Sequence, residues 1–315
     1  MKKKHLSFGV IFSLLVVFVL PFAFSFKNRS ALLSALNSVV NYDDVKNDLK
    51  NNVSEKIPIL MYHYVRDIDK NFDPMGWRLS VSPFYFDEQM NYLRENGYVT
   101  INLKDIEDGK VPEKAVVLTF DDGLEDFYTT ALPILQKYGF TASNAVIPDM
   151  VGKKGHMTID QLRVCAINGI ELISHSKSHF AMSSLGKDRL SVQIAEARDF
   201  LKNNFGVEPL SFVYPSGKYN NLVVEILRKN GYKIALTTNE GEANLSDDDM
   251  LVLPRIRVDN RSGFLGFKNK LEELLEKQTD SFETALRGYI CRQFCFFCKS
   301  FLVILTFFNL FLTKI

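Results

Sequence analysis

The chain has 315 residues, 46% of them hydrophobic, and a formal net charge of +1. That length can bury one large core with appendages, and with a near-zero charge nothing global argues for a nucleic acid or an acidic partner. Of the four cysteines only Cys165 falls in the globular part, which excludes a disulfide framework.

The N-terminus opens on a basic Met1-Lys-Lys-Lys-His5. An apolar stretch from Leu6 to Phe26 follows, broken only by Ser7, Gly9, Ser13, Pro21 and Ser25. This pattern predicts an export segment over residues 1–26. It is either a signal peptide, with Ala23 and Ser25 as small residues for cleavage, or a retained membrane anchor. Residues 27–56 are dominated by Asn, Asp, Lys and Ser and read as a polar spacer.

Globular patterning covers residues 57–270. Ile57 to Val65 predicts a strand, with Pro58 tolerable at its start. Arg66 to Val81 reads as a long loop holding Asp67, Asp69, Asp73 and the sole tryptophan, Trp77. Ser82 and Pro83 open a helix as N-cap and first residue, Gly97 closes it, and Phe86, Met90 and Leu93 sit at core spacing.

Ala115 to Phe120 is a continuous apolar, β-branched run, the pattern of a strand buried on both faces. It ends in Asp121, Asp122 and Gly123. Two adjacent carboxylates at such a place repel each other and cost desolvation energy. Asp-Gly is also ordinary turn chemistry, and an Asp can cap the next helix. A metal ion would change that balance, one carboxylate ligating it while the other handled a proton.

Beyond this point a helix is expected from about Glu125 to Tyr138, with a kink at Pro133 and a stop at Gly139. Thr141 to Ile147 is a strand. Thr158 and Gln161 have capping-box spacing, and the helix they start ends at Asn168-Gly169. Gly169 to His175 is a strand, and an amphipathic helix from about Lys187 to Asn204 stops at Gly206. Leu210 to Tyr214, Tyr232 to Thr238 and Leu251 to Val258 are strands, with a helix from Asn221 to Asn230 closed by Gly231.

Seven strands interleaved with helices indicate parallel βαβ units. The expected class is α/β, an incomplete, distorted (β/α) barrel of about seven parallel strands; a doubly wound open sheet is the competitor. In either, active residues gather at the C-terminal strand ends, where Asp121, Asp122, His175, Tyr214, Ser216 and His63 fall.

Residues 271–315 break the pattern, with a charged helix from Leu271 to Lys277 and then a Phe-, Leu- and Cys-rich tail. Cys291, Cys295 and Cys298 have iron–sulfur spacing, but the preceding domain is already complete. The readings kept are a membrane-associated tail or an aberrant chain end.

His175-Ser-Lys-Ser-His179 places two imidazoles four residues apart just after a strand. Either alone is most simply a solvated loop histidine. As a pair, with Asp122 on a neighbouring strand end, they make a two-His-one-carboxylate set with coordination positions left open. Zinc suits these donors; cobalt, nickel, manganese and iron remain compatible. The residues alone do not decide which of the two aspartates takes which role.

Thr119-Phe-Asp-Asp122 and His175-Ser-x-x-His179 resemble the first two motifs of the NodB-like polysaccharide deacetylases, carbohydrate esterase family four, over about residues 57–260. The resemblance implies Asp121 as general base and Asp122, His175 and His179 as metal ligands. The family's third motif, usually Arg-Pro-Pro-Tyr-Gly, stands here as Val213-Tyr-Pro-Ser-Gly217, which gives the oxyanion-stabilising amide to Ser216 and removes the Arg that steadies the base. Arg255 is the candidate replacement. No Leu-x-His follows Val258, so the catalytic acid is assigned to His63, as in rearranged members acting on poly-N-acetylglucosamine. Tyr62 and Tyr214 are expected to bind substrate.

The resemblance thus implies a metal-dependent hydrolase removing N-acetyl groups from N-acetylglucosamine residues of an extracellular polysaccharide. A peptidoglycan deacetylase, a polysaccharide O-acetyl esterase and a non-catalytic glycan-binding relative are the alternatives. The expected partners are the polysaccharide and, if the N-terminal segment is uncleaved, the membrane; the expected location is the cell surface or beyond.

Overall fold

A computed structural model describes residues 56–112, 114–246 and 248–274. The export segment, all of the spacer before Lys56, and the tail with its three cysteines lie outside the described residues. Among the described residues no helix is long and apolar enough to cross a membrane.

Seven parallel strands close a barrel: β1 (Ile59–Tyr62), β2 (Ala115–Phe120), β3 (Ser143–Val146), β4 (Glu171–Ser174), β5 (Ser211–Val213), β6 (Ile234–Glu240) and β7 (Leu253–Arg257). Neighbours follow chain order from β2 to β7. Closure comes from β1, which pairs with β7 through Ile256↔Leu60 and with β2 through Ile59↔Val117 to Tyr62↔Phe120. The expected distorted barrel is therefore the fold, and the open sheet is excluded. The distortion sits on one edge of β2, which pairs first with a short strand, Val99–Ile101, and then with β3.

Strand side chains alternate between the two faces. Every strand contributes to the cluster that fills the barrel, through Ile59, Val117, Ala145, Ile173, Val213, Leu236 and Leu253, with Ala115 and Ile234 added from β2 and β6. Their alternates face the helices α1 (Pro83–Glu95), α2 (Leu132–Tyr138), α3 (Ile159–Ile167), α4 (Lys187–Phe205) and α5 (Asn221–Lys229). Leu60, Leu118 and Leu172 pack with Phe86, Leu135 and Leu162, while Phe212 packs with Leu190 and Val223.

The helix ends follow their local chemistry. Ser82 Oγ accepts from Tyr85 N at 3.2 Å to start α1, and Thr158 and Gln161 form the reciprocal capping box of α3. Gly139 and Gly206 end α2 and α4 in the left-handed conformation, with φ of 69° at both.

Three local expectations are corrected. The single strand Ile57–Val65 is divided into Lys56–Ile57, β1 and Tyr64–Val65, because Pro58 has no N–H to give the ladder and the chain turns at His63. The loop Arg66–Val81 contains a short helix, Pro74–Leu79, capped by Asp73, and a strand, Ser80–Val81, beside Tyr64–Val65. The helix from Glu125 absorbs Pro133 with a wide π-turn over Phe127–Ala131, in which Leu132 N donates to Phe127 O five residues back. At the far end, a helix over 263–274 buries Phe267 and Leu271 against the core.

Candidate active site

Barrel parity sets the site. On β2 the inward face reads Val117, Thr119, Asp121, so the apolar core gives way to polar groups at the strand's C-terminal end. On β7 the same face reads Leu253, Arg255, and Arg255 is fully buried.

A buried guanidinium is tolerated only when it is paired and its donors are satisfied. Arg255 makes a two-pronged bridge to Asp121, Nη1 to Oδ1 at 2.7 Å and Nη2 to Oδ2 at 2.8 Å. Its Nε donates to Thr237 O at 2.8 Å, and Nη1 also reaches Thr119 Oγ1 at 3.0 Å. Burial pushes the Asp121 carboxyl up, but the Arg255 charge and hydrogen bonds outweigh it and hold Asp121 well below the usual carboxylate range. Asp121 is therefore ionised at any working pH.

His63 caps β1 next to this pair, its Nε2 lying 3.8 Å from Asp121 Oδ2. Burial lowers its pKa, and the two aspartates only partly restore it. The rise that two neighbouring carboxylates would give an imidazole is thus outweighed by desolvation. Asp126, one turn beyond Asp122, accepts from Val65 N at 3.1 Å and so ties the segment after His63 to the helix after β2. Burial pushes Asp126 up to about 6.

The metal-ligand candidates converge. Asp122 Oδ1 lies 3.3 Å from His175 Nε2 and 3.4 Å from His179 Nε2, and one ligand atom from each residue falls within 4.8 Å of the others. His175 Nδ1 stands 2.7 Å from Val213 O. A carbonyl only accepts, so Nδ1 must carry the proton and Nε2 keeps its lone pair for a cation. Two imidazole nitrogens and a carboxylate oxygen around one point fit a divalent metal.

Backbone strain is concentrated at the same place. The four non-glycine residues with positive φ among those described are Asp122 (75°), Ser176 (59°), His179 (59°) and Ser216 (54°). Each costs of order 1–3 kcal/mol, which the surrounding packing must offset. Ser216 is the exposed residue of the turn Pro215–Gly217 after β5, and its N–H takes no part in the turn's bonds, which run from Gly217 to Tyr214 and from Lys218 to Pro215. Gly217 has φ of 66°, and a Cβ there would stand 2.0 Å from Thr238 Oγ1. Only glycine lets this turn lie against β6.

Two expectations are overturned. Tyr62 and Tyr214 do not face the site. Tyr62 shares the outward face of Leu60, stacks on Phe120 and donates to Gln89 Oε1 at 3.0 Å. Tyr214 shares the outward face of Phe212, stacks on Tyr219 and donates to Leu251 O at 2.7 Å. Both are fully buried, one step out of register with the residues that point inward. Thr119 and Thr237 are the supporting residues that the sequence reading missed. For Thr119 the signal was there, a hydroxyl in an otherwise apolar strand two residues before Asp121.

The family description "Polysaccharide deacetylase" matches residues 108–235. YxkH of Bacillus subtilis (strain 168), whose name places it with the polysaccharide deacetylases, is 34% identical over 221 residues, covering 69% of this chain and 76% of that protein. The chain belongs to the polysaccharide deacetylase family. As a deacetylase it is a hydrolase, and its fold agrees. The Streptococcus pyogenes deacetylase PplD, solved in complex with acetate, matches with a TM-score of 0.65 and 29% identity over 69% of this chain and 98% of that one. The poly-β-1,6-N-acetyl-D-glucosamine N-deacetylase of Escherichia coli (strain K12) is 28% identical over 268 residues; the match covers 69% of this deacetylase and 39% of the E. coli protein.

Proposed function

We propose that this deacetylase removes N-acetyl groups from N-acetylglucosamine units of an extracellular poly-N-acetylglucosamine, with zinc held by Asp122, His175 and His179. The observation that carries the reaction is the placement of His63 beside the Arg255–Asp121 pair, at the rim that also holds the three ligand candidates. The substrate rests on the relatives named for it. The basic and apolar N-terminal stretch supports export to the cell surface.

A divalent ion in this site supplies Lewis acidity, polarising the acetyl carbonyl and lowering the pKa of water. Asp121 accepts the proton of the attacking water. Arg255 keeps the carboxylate charged and fixed, and a carboxylate held this low is a weak base that gives its proton up readily. His63 Nε2, 3.8 Å from Asp121 Oδ2, takes that proton through a closer approach or one bridging water and delivers it to the departing nitrogen, which leaves poorly as the free anion. The Ser216 N–H, left out of its turn's bonding, stabilises the developing oxyanion. Because His63 is neutral at rest, this handover explains how a histidine with a lowered pKa serves as the acid.

The test is acetate release by the zinc-loaded chain from poly-β-1,6-N-acetylglucosamine, peptidoglycan and acetylated xylan, with His63→Ala alongside. The expected result is preferential release from the first glycan. His63→Ala should slow that reaction by ~10²-fold or more and spare an activated aryl acetate, whose leaving group needs little protonation. Release from xylan alone would replace the amide reading by an ester one, and equal losses on both acetyl substrates would remove His63 from the acid role.

A further inference from the structure

Helix α4 turns an apolar stripe of Leu190, Ile194, Ala197 and Leu201 toward the core, and Gln193 is buried among them with 7% exposure. An amide in such a place costs desolvation energy unless both of its polar atoms find partners. Both do, on one residue. Gln193 Oε1 accepts from Ser178 N at 2.9 Å, and Nε2 donates to Ser178 Oγ at 3.2 Å. The Gln193 carbonyl also accepts from Lys177 N at 3.0 Å.

The other side of this loop is held as well. In the turn after β3, Asp149 N donates to Lys177 O at 3.0 Å, and the Asp149 carboxylate accepts from Ser178 Oγ. Lys177 and Ser178 are thus clamped between two elements. They lie immediately before His179.

His179 needs such support more than His175 does. The second ring nitrogen of His175 donates to Val213 O, which fixes the ring. Among the described residues no group takes the corresponding bond from His179, whose ring contacts are Asp122 and the edge of His175. Its backbone is left-handed and anchored through a single bond, His179 N to Ser176 Oγ at 3.1 Å. A ligating histidine normally draws its orientation from the partner of its other nitrogen.

We propose that Gln193 is a positioning residue of the metal site: by fixing Ser178 it holds His179 in its strained backbone conformation and so sets metal affinity. This rests on the reading that Asp122, His175 and His179 hold the metal. Gln193→Met keeps the volume of the side chain and removes both amide bonds to Ser178.

The experiment measures zinc affinity of the full chain by competition with a chromophoric chelator, alongside thermal melting of the chelator-stripped protein. Gln193→Met should weaken zinc binding ~10–100-fold. Leu190→Ala, on the same face of α4, serves as the structural control: it should lower the melting temperature and leave zinc affinity of the folded protein unchanged. Native-like zinc affinity in Gln193→Met, or an equal loss in Leu190→Ala, overturns the proposal. His179→Ala separates the two layers. If it abolishes zinc binding while Gln193→Met binds normally, the clamp falls and the ligand set stands. If both bind normally, the ligand set falls and the clamp with it.

Discussion

Asp121→Asn should lower turnover on an N-acetylated glycan by ~10²–10⁴-fold while zinc affinity stays within a few-fold of the native value. The amide keeps the shape of the carboxylate but cannot accept the proton from water. It also meets Arg255 with a donor where an acceptor stood, so one of the two bridging bonds at 2.7 and 2.8 Å is lost. Asp122→Asn should behave in the opposite sense. Its Oδ1 lies between the two imidazoles, and removing its charge weakens the attraction for a cation before it affects any proton transfer. Zinc titration and steady-state kinetics on both variants separate the roles. Full metal loss in Asp121→Asn with full occupancy in Asp122→Asn would reverse the assignment of the two neighbouring carboxylates.

Arg255→Met should cost ~3–5 kcal/mol of folding stability, the usual penalty for leaving a buried charge without its partner. For a domain of this size that corresponds to a drop of roughly 6–20 °C in melting temperature. The pH dependence fixes the cause. In the native protein the folded pKa of Asp121 is depressed, so the pair contributes fully above the unfolded carboxylate value of about 3.9 and is lost only as pH falls through the folded value. Without Arg255, burial dominates and the folded pKa rises above the unfolded one. The variant then loses stability as pH increases between those two values. The deficit of chelator-stripped Arg255→Met should therefore be larger at pH 7.5 than at pH 4.5, and Asp121→Leu in the same chain should recover part of it. A native-like melting temperature at pH 7.5 would mean that Asp121 finds other compensation in the barrel.

Chain-local chemistry was legible in the sequence. Ser82, the Thr158–Gln161 pair, Gly139 and Gly206 mark helix ends because capping and left-handed turns depend on a few adjacent residues. The buried strand Ala115–Phe120 and the two carboxylates at its end were readable because a continuous apolar run has few other uses. The four-residue spacing of His175 and His179 was likewise local, and with Asp122 it pointed to a common metal site.

The tertiary structure decided what depends on facing and closure. Asp121 and Arg255 are 134 residues apart, and nothing local to either says that they meet; closure of the barrel through β1, with β7 on one side and β2 on the other, brings them together. The same closure sets His63 beside them. Tyr62 and Tyr214 stand next to residues of the site in sequence, yet strand parity turns them outward into the helical layer, because consecutive side chains on a strand point to opposite faces. The short strand Val99–Ile101 was also beyond local reading, since it is held by pairing with β2 rather than by a pattern of its own. Gln193 stands between the two cases. A lone amide on an apolar helical stripe is visible in the sequence as an anomaly, but only the fold shows that its partner is the residue before a candidate metal ligand.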